Sequence, residues 1–388
     1  MNDLFTDVGY KSVNKNGEEV CGDRVEISER NGAVSAVLAD GLGSGVRANI
    51  LSTLTSKIFS TMMAQNMPVE ECIATMNATL PFARDSAAYS TFTVMRVERS
   101  ERAEIIRFDN PRVIWLRNGA RMDYPESLSY VGAKSVYTSN LDLTCGDTLI
   151  AVSDGALYAS QGRALDYNWD LDGLAGFVEA FYHPDYTAKE ICAILLDKLV
   201  ELYGGQPGDD ATVCVCRIKK RVHVNLVFGP PRASTDDTLM MDLFFSKRGK
   251  HIVCGGTTAK IAGRYLGRPV VPLFDAADAD IPPASSIDGV DLVTEGVLTL
   301  SKVLENAESY IANGSGTPAW QSGQDAASRI SAVLLEQATD IDLFVGRAEN
   351  EAYDKPGMPV SLNAKVRLAE RLAACLEKAG KRIKVSYF

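Results

Sequence analysis

The sequence predicts a mixed α/β chain in two domains: a pair of packed sheets with helices outside, followed by a smaller α/β unit. Three observations predict it. Over residues 8–218 the pattern runs strands, two helices, more strands, two helices, strand. That is richer in sheet than an alternating strand–helix order and argues against a doubly wound nucleotide-binding domain there. At 388 residues the chain exceeds the size at which one core keeps growing, so two domains are expected. The basic run Lys219-Lys220-Arg221 then closes one pattern and opens another, in which strands and helices alternate. These readings place the domains at 1–218 and 222–388.

Taken in order, residues 8–20 read as a first strand and a turn at Asn14-Lys15-Asn16-Gly17, and Arg24–Ser28 as a second strand. After Asn31-Gly32 an apolar run ends on Asp40-Gly41. Apolar residues then recur at helical spacing through Val46, Ile50, Leu54, Ile58 and Met62, predicting a helix from Gly45 to about Met63. Pro68 suits the first turn of a second helix reaching Leu80, with Val69, Cys72, Ile73 and Met76 along one side. Residues 90–98, 103–109 and 112–116 read as short strands, with hairpin turns at Asn110-Pro111 and Asn118-Gly119. A further strand ends on Asp154-Gly155, helices follow over 171–181 and 187–203, and Ala211–Ile218 closes the pattern. Beyond residue 221, helices are expected over 236–248, 258–266, 299–312, 325–338 and 361–378. Strands are expected over 222–227, 251–254, 269–273, 289–293, 341–345 and 384–387.

Composition narrows the function classes. A formal net charge of -10 argues against a general nucleic-acid or anionic-membrane surface. No apolar stretch approaches a bilayer span, and the start lacks a basic region followed by an apolar core, so a cytoplasmic protein is expected. Eight cysteines in so long a chain read as buried thiols of a reducing compartment, and three histidines leave little room for imidazole-based metal chemistry.

Four acidic turns carry the chemistry. Asp40 and Asp154 each end an apolar strand and precede glycine; Asp23 follows Gly22, and Asp209-Asp210 follow Gly208. Each alone is an ordinary turn. Together they suggest a cluster, and gathered carboxylates repel one another unless a cation compensates. Oxygen-only donors on strand ends suit magnesium or manganese, with glycine bringing a backbone carbonyl close. Two such ions sharing a carboxylate would activate a water for attack on phosphorus.

With the segments Glu18–Arg24, Ala39–Gly45, Leu149–Gly155 and Gly208–Val213 in this order, residues 8–218 resemble the PPM-type (protein phosphatase 2C superfamily) metal-dependent serine/threonine phosphatases, within them the bacterial stage II sporulation protein E branch. The resemblance implies a four-layer α-β-β-α sandwich with two Mn or Mg ions at one edge. It implies that Asp40 bridges the ions, that the Gly41 carbonyl binds one, that Asp154 and Asp209 bind the other, and that Asp23 holds the second ion directly or through water. Asp210 would support the ligands from behind, and Arg24 is a candidate phosphate contact. The helical pair at 45–80 resembles the one that in this branch moves and gates metal binding. The implied reaction is hydrolysis of phosphoserine or phosphothreonine on a partner protein in a bacterial signalling or sporulation-type switch. An anti-sigma-factor antagonist-like domain is one candidate substrate, and a homodimer is an open arrangement. Two other readings stand beside it: a small phosphate ester as substrate, and a regulatory protein with a vestigial phosphatase half.

In the second half, Ile252–Ala259 reads as a strand, paired glycines and hydroxyls at a helix start. Gly255, Gly256, Thr257 and Thr258 could receive an anion through free N–H groups, or simply form a turn and cap; Glu295, ending another strand, could line the same crevice. Neither glycine-rich piece has the lysine of a nucleotide phosphate loop.

Overall fold

The computed structural model describes residues 3–79, 90–131, 134–160, 169–273, 284–312, 320, 323–348 and 362–388. The chain forms two compact units, Met1–Lys220 and Arg221–Phe388.

The first unit is built on two antiparallel sheets. One contains β1 (Leu4–Val13), β6 (Ile114–Arg117), β7 (Ala120–Met122), β10 (Asp147–Val152) and β11 (Ala211–Lys220), in the order β1-β11-β10-β6-β7. The other runs β2-β3-β4-β5-β9-β8. Its strands are β2 (Asp23–Arg30), β3 (Ala33–Gly41), β4 (Ser90–Glu98), β5 (Arg102–Phe108), β8 (Ser127–Val131) and β9 (Lys134–Asp142). Strand alternation lets β3 feed two cores at once. Ala36 and Leu38 pack between the sheets with Leu149, Ala151, Cys214 and Cys216, whereas Val37 and Ala39 pack outward against Leu51, Phe59 and Ile73 of α1 (Gly45–Met63) and α2 (Val69–Thr79). On the other outer face, α3 (Leu171–Phe181) and α4 (Ala188–Leu202) cover Ile150, Val152, Val213 and Val215. The result is a four-layer α-β-β-α sandwich.

Two expectations change. Only the start of the apolar stripe of α1 faces outward: Val46 is 68% and Ile50 40% exposed, whereas Leu54 and Met62 pack partly buried against the core, and the helix also buries Ala48, Ser52, Thr55, Ser56 and Ser60 with Leu51 and Phe59. Small residues win this face because they let the helix approach the sheet closely. Asn110-Pro111 is not a hairpin turn, since β5 pairs β4 and β9 whereas β6 pairs β10 and β7. The chain crosses there between sheets, anchored by the buried Asn110 amide donating to Thr93 Oγ1 at 2.8 Å. The Asn118-Gly119 turn does join β6 to β7, with both residues at positive φ. Leu80 and Ser361, where two helices were expected to end and begin, lie outside the described residues.

Helix α4 begins with a capping box at Thr187 and Glu190, and the Asp7 carboxylate accepts from Ala188 N at 2.8 Å. This first turn lies on β1 so closely that a Cβ on Gly9 would fall 2.6 Å from Lys189 N. Gly9→Ala should therefore destabilise the unit by about 1–3 kcal/mol through overpacking, measurable as a lower urea midpoint. An unchanged midpoint would show that α4 can retreat without cost.

The second unit holds a sheet ordered β14-β15-β16-β13-β12-β17-β18. Its strands are β12 (His223–Phe228), β13 (Lys250–Cys254), β14 (Val271–Pro272), β15 (Ser285–Ser286), β16 (Leu292–Thr294), β17 (Asp340–Val345) and β18 (Arg382–Tyr387). From β16 to β18 neighbouring strands are parallel, while β14 and β15 add an antiparallel edge. Helices α5 (Asp237–Phe245), α6 (Gly256–Leu266), α7 (Val297–Ala312), α8 (Ala326–Ser331) and α9 (Leu362–Lys378) surround it. The single helix expected over 325–338 is α8 followed by a widened π-helical stretch, Ala332–Gln337. Among the described residues no helix is long and apolar enough to cross a membrane.

Candidate metal-binding active site

The two sheets of the first unit deliver their acidic turns to one edge. Asp23 opens β2 directly opposite Asp40 near the end of β3, so one sheet supplies a facing pair. The other supplies Asp154, in the turn after β10, and Asp209-Asp210 just before its neighbour β11.

Glycines bring the loops together. A Cβ on Gly155 would lie 2.1 Å from the Asp210 carbonyl, and one on Gly41 would lie 2.0 Å from the Ala48 carbonyl of α1. Only glycine permits these approaches. The Asp210 carboxylate joins the sheets: it accepts from Gly22 N and from Lys15 N, both at 2.9 Å, and so holds the turn that presents Asp23. Ser90 Oγ donates to the Asp40 carbonyl at 2.8 Å, Tyr203 Oη to the Gly155 carbonyl at 2.7 Å, and Thr212 N to Ser153 Oγ at 2.9 Å. At the start of α1, Ser44 Oγ donates to Glu18 at 2.9 Å, fixing the loop that leaves Gly41.

The electrostatics are those of crowded carboxylates. Burial, reinforced by Asp23, Asp154 and Asp209, pushes Asp40 up to about 9. Burial likewise lifts Asp23 to about 7; the Ser153 and Thr212 hydroxyls oppose the rise, and Asp210 and Asp154 add to it. Although those hydroxyls face Asp23, neither of its buried oxygens has a hydrogen-bond partner of normal geometry. Asp209 is raised too, chiefly by burial. An orphaned buried carboxylate within an all-oxygen acidic cluster fits a hard divalent cation. Among the described residues no group of three or more His, Cys, Asp or Glu side chains already stands in an arrangement that could hold a metal ion.

Asp40, Asp154, Asp209 and Asp210 line a cleft of about 1010 Å³. Arg24 does not join them: it is exposed, and as the residue after Asp23 on β2 it projects from the opposite side of the strand. The cleft's basic residues, Lys15, Arg107 and Lys134, were missed in the sequence. Arg107 is held by Glu126 through two bonds of 2.8 and 2.9 Å, and Lys134, its pKa lowered by burial, lies over the Phe108 ring at 4.4 Å. The lysine in the Asn14–Gly17 turn was the available signal for Lys15. Nothing local marks Lys134, which reaches the site through β9. In the second unit, Gly255 and Gly256 do form the turn from β13 into α6. Glu295 at the end of β16 comes beside it, its Oε1 3.8 Å from the place a Gly256 Cβ would take.

Residues 30–219 match the sequence profile of a family described as Stage II sporulation protein E (SpoIIE). Among curated proteins, Stage II sporulation protein E of Bacillus subtilis (strain 168) is 23% identical over 215 residues. The match covers 54% of this chain and only 25% of that protein, so the chain spans about a quarter of its relative. Among solved structures, the phosphatase domain of SpoIIE from Bacillus subtilis superposes with a TM-score of 0.45 at 21% identity, covering 57% of this chain and 95% of that one. The SiaA-PP2C domain of Pseudomonas aeruginosa gives 0.43 at 16% identity, over 54% and 85%.

Proposed function

We propose, from the premise that the first unit belongs to the PPM-type phosphatases of the stage II sporulation protein E branch, that this chain hydrolyses phosphoserine or phosphothreonine on a partner protein. The observation that carries the reading is the convergence of Asp23, Asp40, Asp154 and Asp209 from both sheets, with both Asp23 oxygens buried and lacking a hydrogen bond of normal geometry. These carboxylates and the Gly41 carbonyl would hold two divalent ions, Mn or Mg, which supply an acidified water and positive charge against the phosphoryl group. Asp210 and Ser90 keep the ligands in place through the Gly22 turn and the Asp40 carbonyl. Lys15 and Lys134 bring positive charge to the same cleft, where a phosphate dianion needs it.

A macromolecular substrate is favoured by the apolar residues beside the cleft. Leu42 lines it at 44% exposure, and Val46 and Ile50 follow on the outer face of α1. Such a stripe offers purchase to a protein and little to a small ester. The setting we infer is a cytosolic regulatory switch, with an anti-sigma-factor antagonist-like domain as one candidate partner. Because Gly41 touches α1 at Ala48, any displacement of α1 and α2 would also shift the carbonyl assigned to the metal. The test compares Mn-dependent phosphate release from phosphoserine and phosphothreonine proteins with release from sugar phosphates. Phosphoproteins should be favoured in kcat/KM by roughly tenfold or more. Faster turnover of the sugar phosphates would transfer the activity to small esters.

A further inference from the structure

The second unit has a crevice that phosphate hydrolysis does not use. Its parallel strands lie in the spatial order β16-β13-β12-β17-β18, which is third, second, first, fourth, fifth along the chain. Helices α5 and α6, after the first two strands, cover one face through Met240, Phe244 and Ala259; α7 and α9 cover the other through Leu300, Val303 and Leu372. The loops leaving β12 and β17 therefore turn to opposite faces, and sheets of this order bind ligands outside the carboxyl ends of their strands at that point.

The rim there is shaped for close approach. Gly255, between β13 and α6, has φ 112°, a conformation L side chains rarely adopt. The first turn of α6 presents its N–H groups beside the exposed Gly256 and Thr257. A second, independent feature is Thr258. It is fully buried, its Oγ1 has no hydrogen-bond partner, and that oxygen points at the turn, 3.2 Å from where a Gly255 Cβ would stand. A buried hydroxyl without a partner costs free energy unless something completes it.

A cavity of about 980 Å³, which meets this turn at Thr257 but is not lined by Gly255, Gly256, Thr258 or Glu295, runs along α6 to the loop after β12. Four basic residues line it, Arg232, Lys260, Arg264 and Arg268, against the one carboxylate of Asp237, in a chain whose net charge is -10. Arg264 pairs with Asp237 at 3.2 Å and Arg268 with Asp288 at 3.0 Å. Arg232 and Lys260 have no acidic partner among the described residues. At the same rim the buried Lys365 donates to the Ala348 carbonyl at 3.1 Å and meets no carboxylate among the described residues; Ala348 N in turn bonds the Pro230 carbonyl at 3.1 Å.

We propose that the second unit binds a phosphate ester of a hydroxylated small molecule, of the nucleoside phosphate or sugar phosphate class. The phosphate rests on the α6 N-terminus, Thr258, Arg232 and Lys260. Glu295, exposed beside Gly256, accepts hydrogen bonds from the ligand's hydroxyls, a role in which its charge does not oppose the phosphate.

The test is calorimetric titration of the full chain with ADP, ribose 5-phosphate and inorganic pyrophosphate. A chelator is present, so that no divalent ion links phosphate to the first unit. ADP or ribose 5-phosphate should bind saturably. The exposed-site double variant Arg232→Ala/Lys260→Ala should weaken that binding roughly tenfold or more. Glu295→Gln should weaken it while leaving the poorer pyrophosphate binding unchanged. Absence of binding by both esters at millimolar concentration would overturn the proposal. So would affinity untouched by the double variant, or pyrophosphate binding as tightly as ADP. None of these outcomes bears on phosphate hydrolysis, and loss of that activity would leave this site standing.

Discussion

Asp40→Asn should lower Mn-dependent phosphate release by roughly 10²–10³-fold or more, while the metal-free protein melts at a higher temperature than the parent. Both effects have the same origin. Asp40 is held above the usual carboxylate range by burial and by Asp23, Asp154 and Asp209, so its charged form is a burden on the metal-free fold. Asparagine keeps the shape without the cost of either burying the charge or taking up a proton on folding, but surrenders the carboxylate that would bind the proposed ions. Asp154→Asn should also abolish release, because its carboxyl belongs to the same cluster from the other sheet. Phosphate release and thermal melts on the two variants check the expectation together. Full activity in both would end the metal-centred mechanism, whereas loss of activity with loss of folding would mean only that the carboxyls are structural.

Much of the first unit could be read directly from residues, because its signals are local. An apolar run ending on Asp-Gly predicts a strand end whether or not the partner strand is known; β3 runs to Gly41 as expected, and β10 stops at Val152, two residues before Asp154. The facing of Asp23 and Asp40 across β2 and β3 is likewise a consequence of a short turn at Asn31-Gly32. What stayed hidden depends on distance in space. The buried face of α1 mixes Ala48, Ser52 and Ser56 with Leu51, Phe59 and Met63, and the closeness of Gly41 to Ala48, which requires a small residue there, is not visible in the helix's own sequence. Asp210 could be matched to the ligand turn, but its bonds to Gly22 and Lys15 span more than 180 positions and have no local signature. The same holds for the second unit. Alternation of strands and helices was visible, yet the strand order that creates its crevice comes from which strands pair, and periodicity is silent on that.

The second large effect concerns pH and metal acting on stability. In the native, metal-free protein Asp23 and Asp40 keep their protons to about pH 7 and about pH 9, against 3.8 for an ordinary aspartate. Across that interval the folded state binds more protons than the unfolded one, so these groups make stability fall as pH rises; below the ordinary value the effect vanishes. On the proposed reading, divalent ions would bind the deprotonated carboxylates and reverse the balance, adding stability by mass action. The metal-free protein should therefore melt lower at about pH 8 than at about pH 5.5, and Mn should raise the melting temperature more at the higher pH. Other titrating groups contribute to any single melt, so the decisive quantity is the difference between the parent and Asp40→Asn. That difference should favour the variant increasingly as pH climbs, and shrink or change sign once Mn is present. A difference that stays constant with pH, together with an equal Mn shift in both proteins, would mean that Asp40 is neither protonated in the metal-free fold nor engaged by the ion.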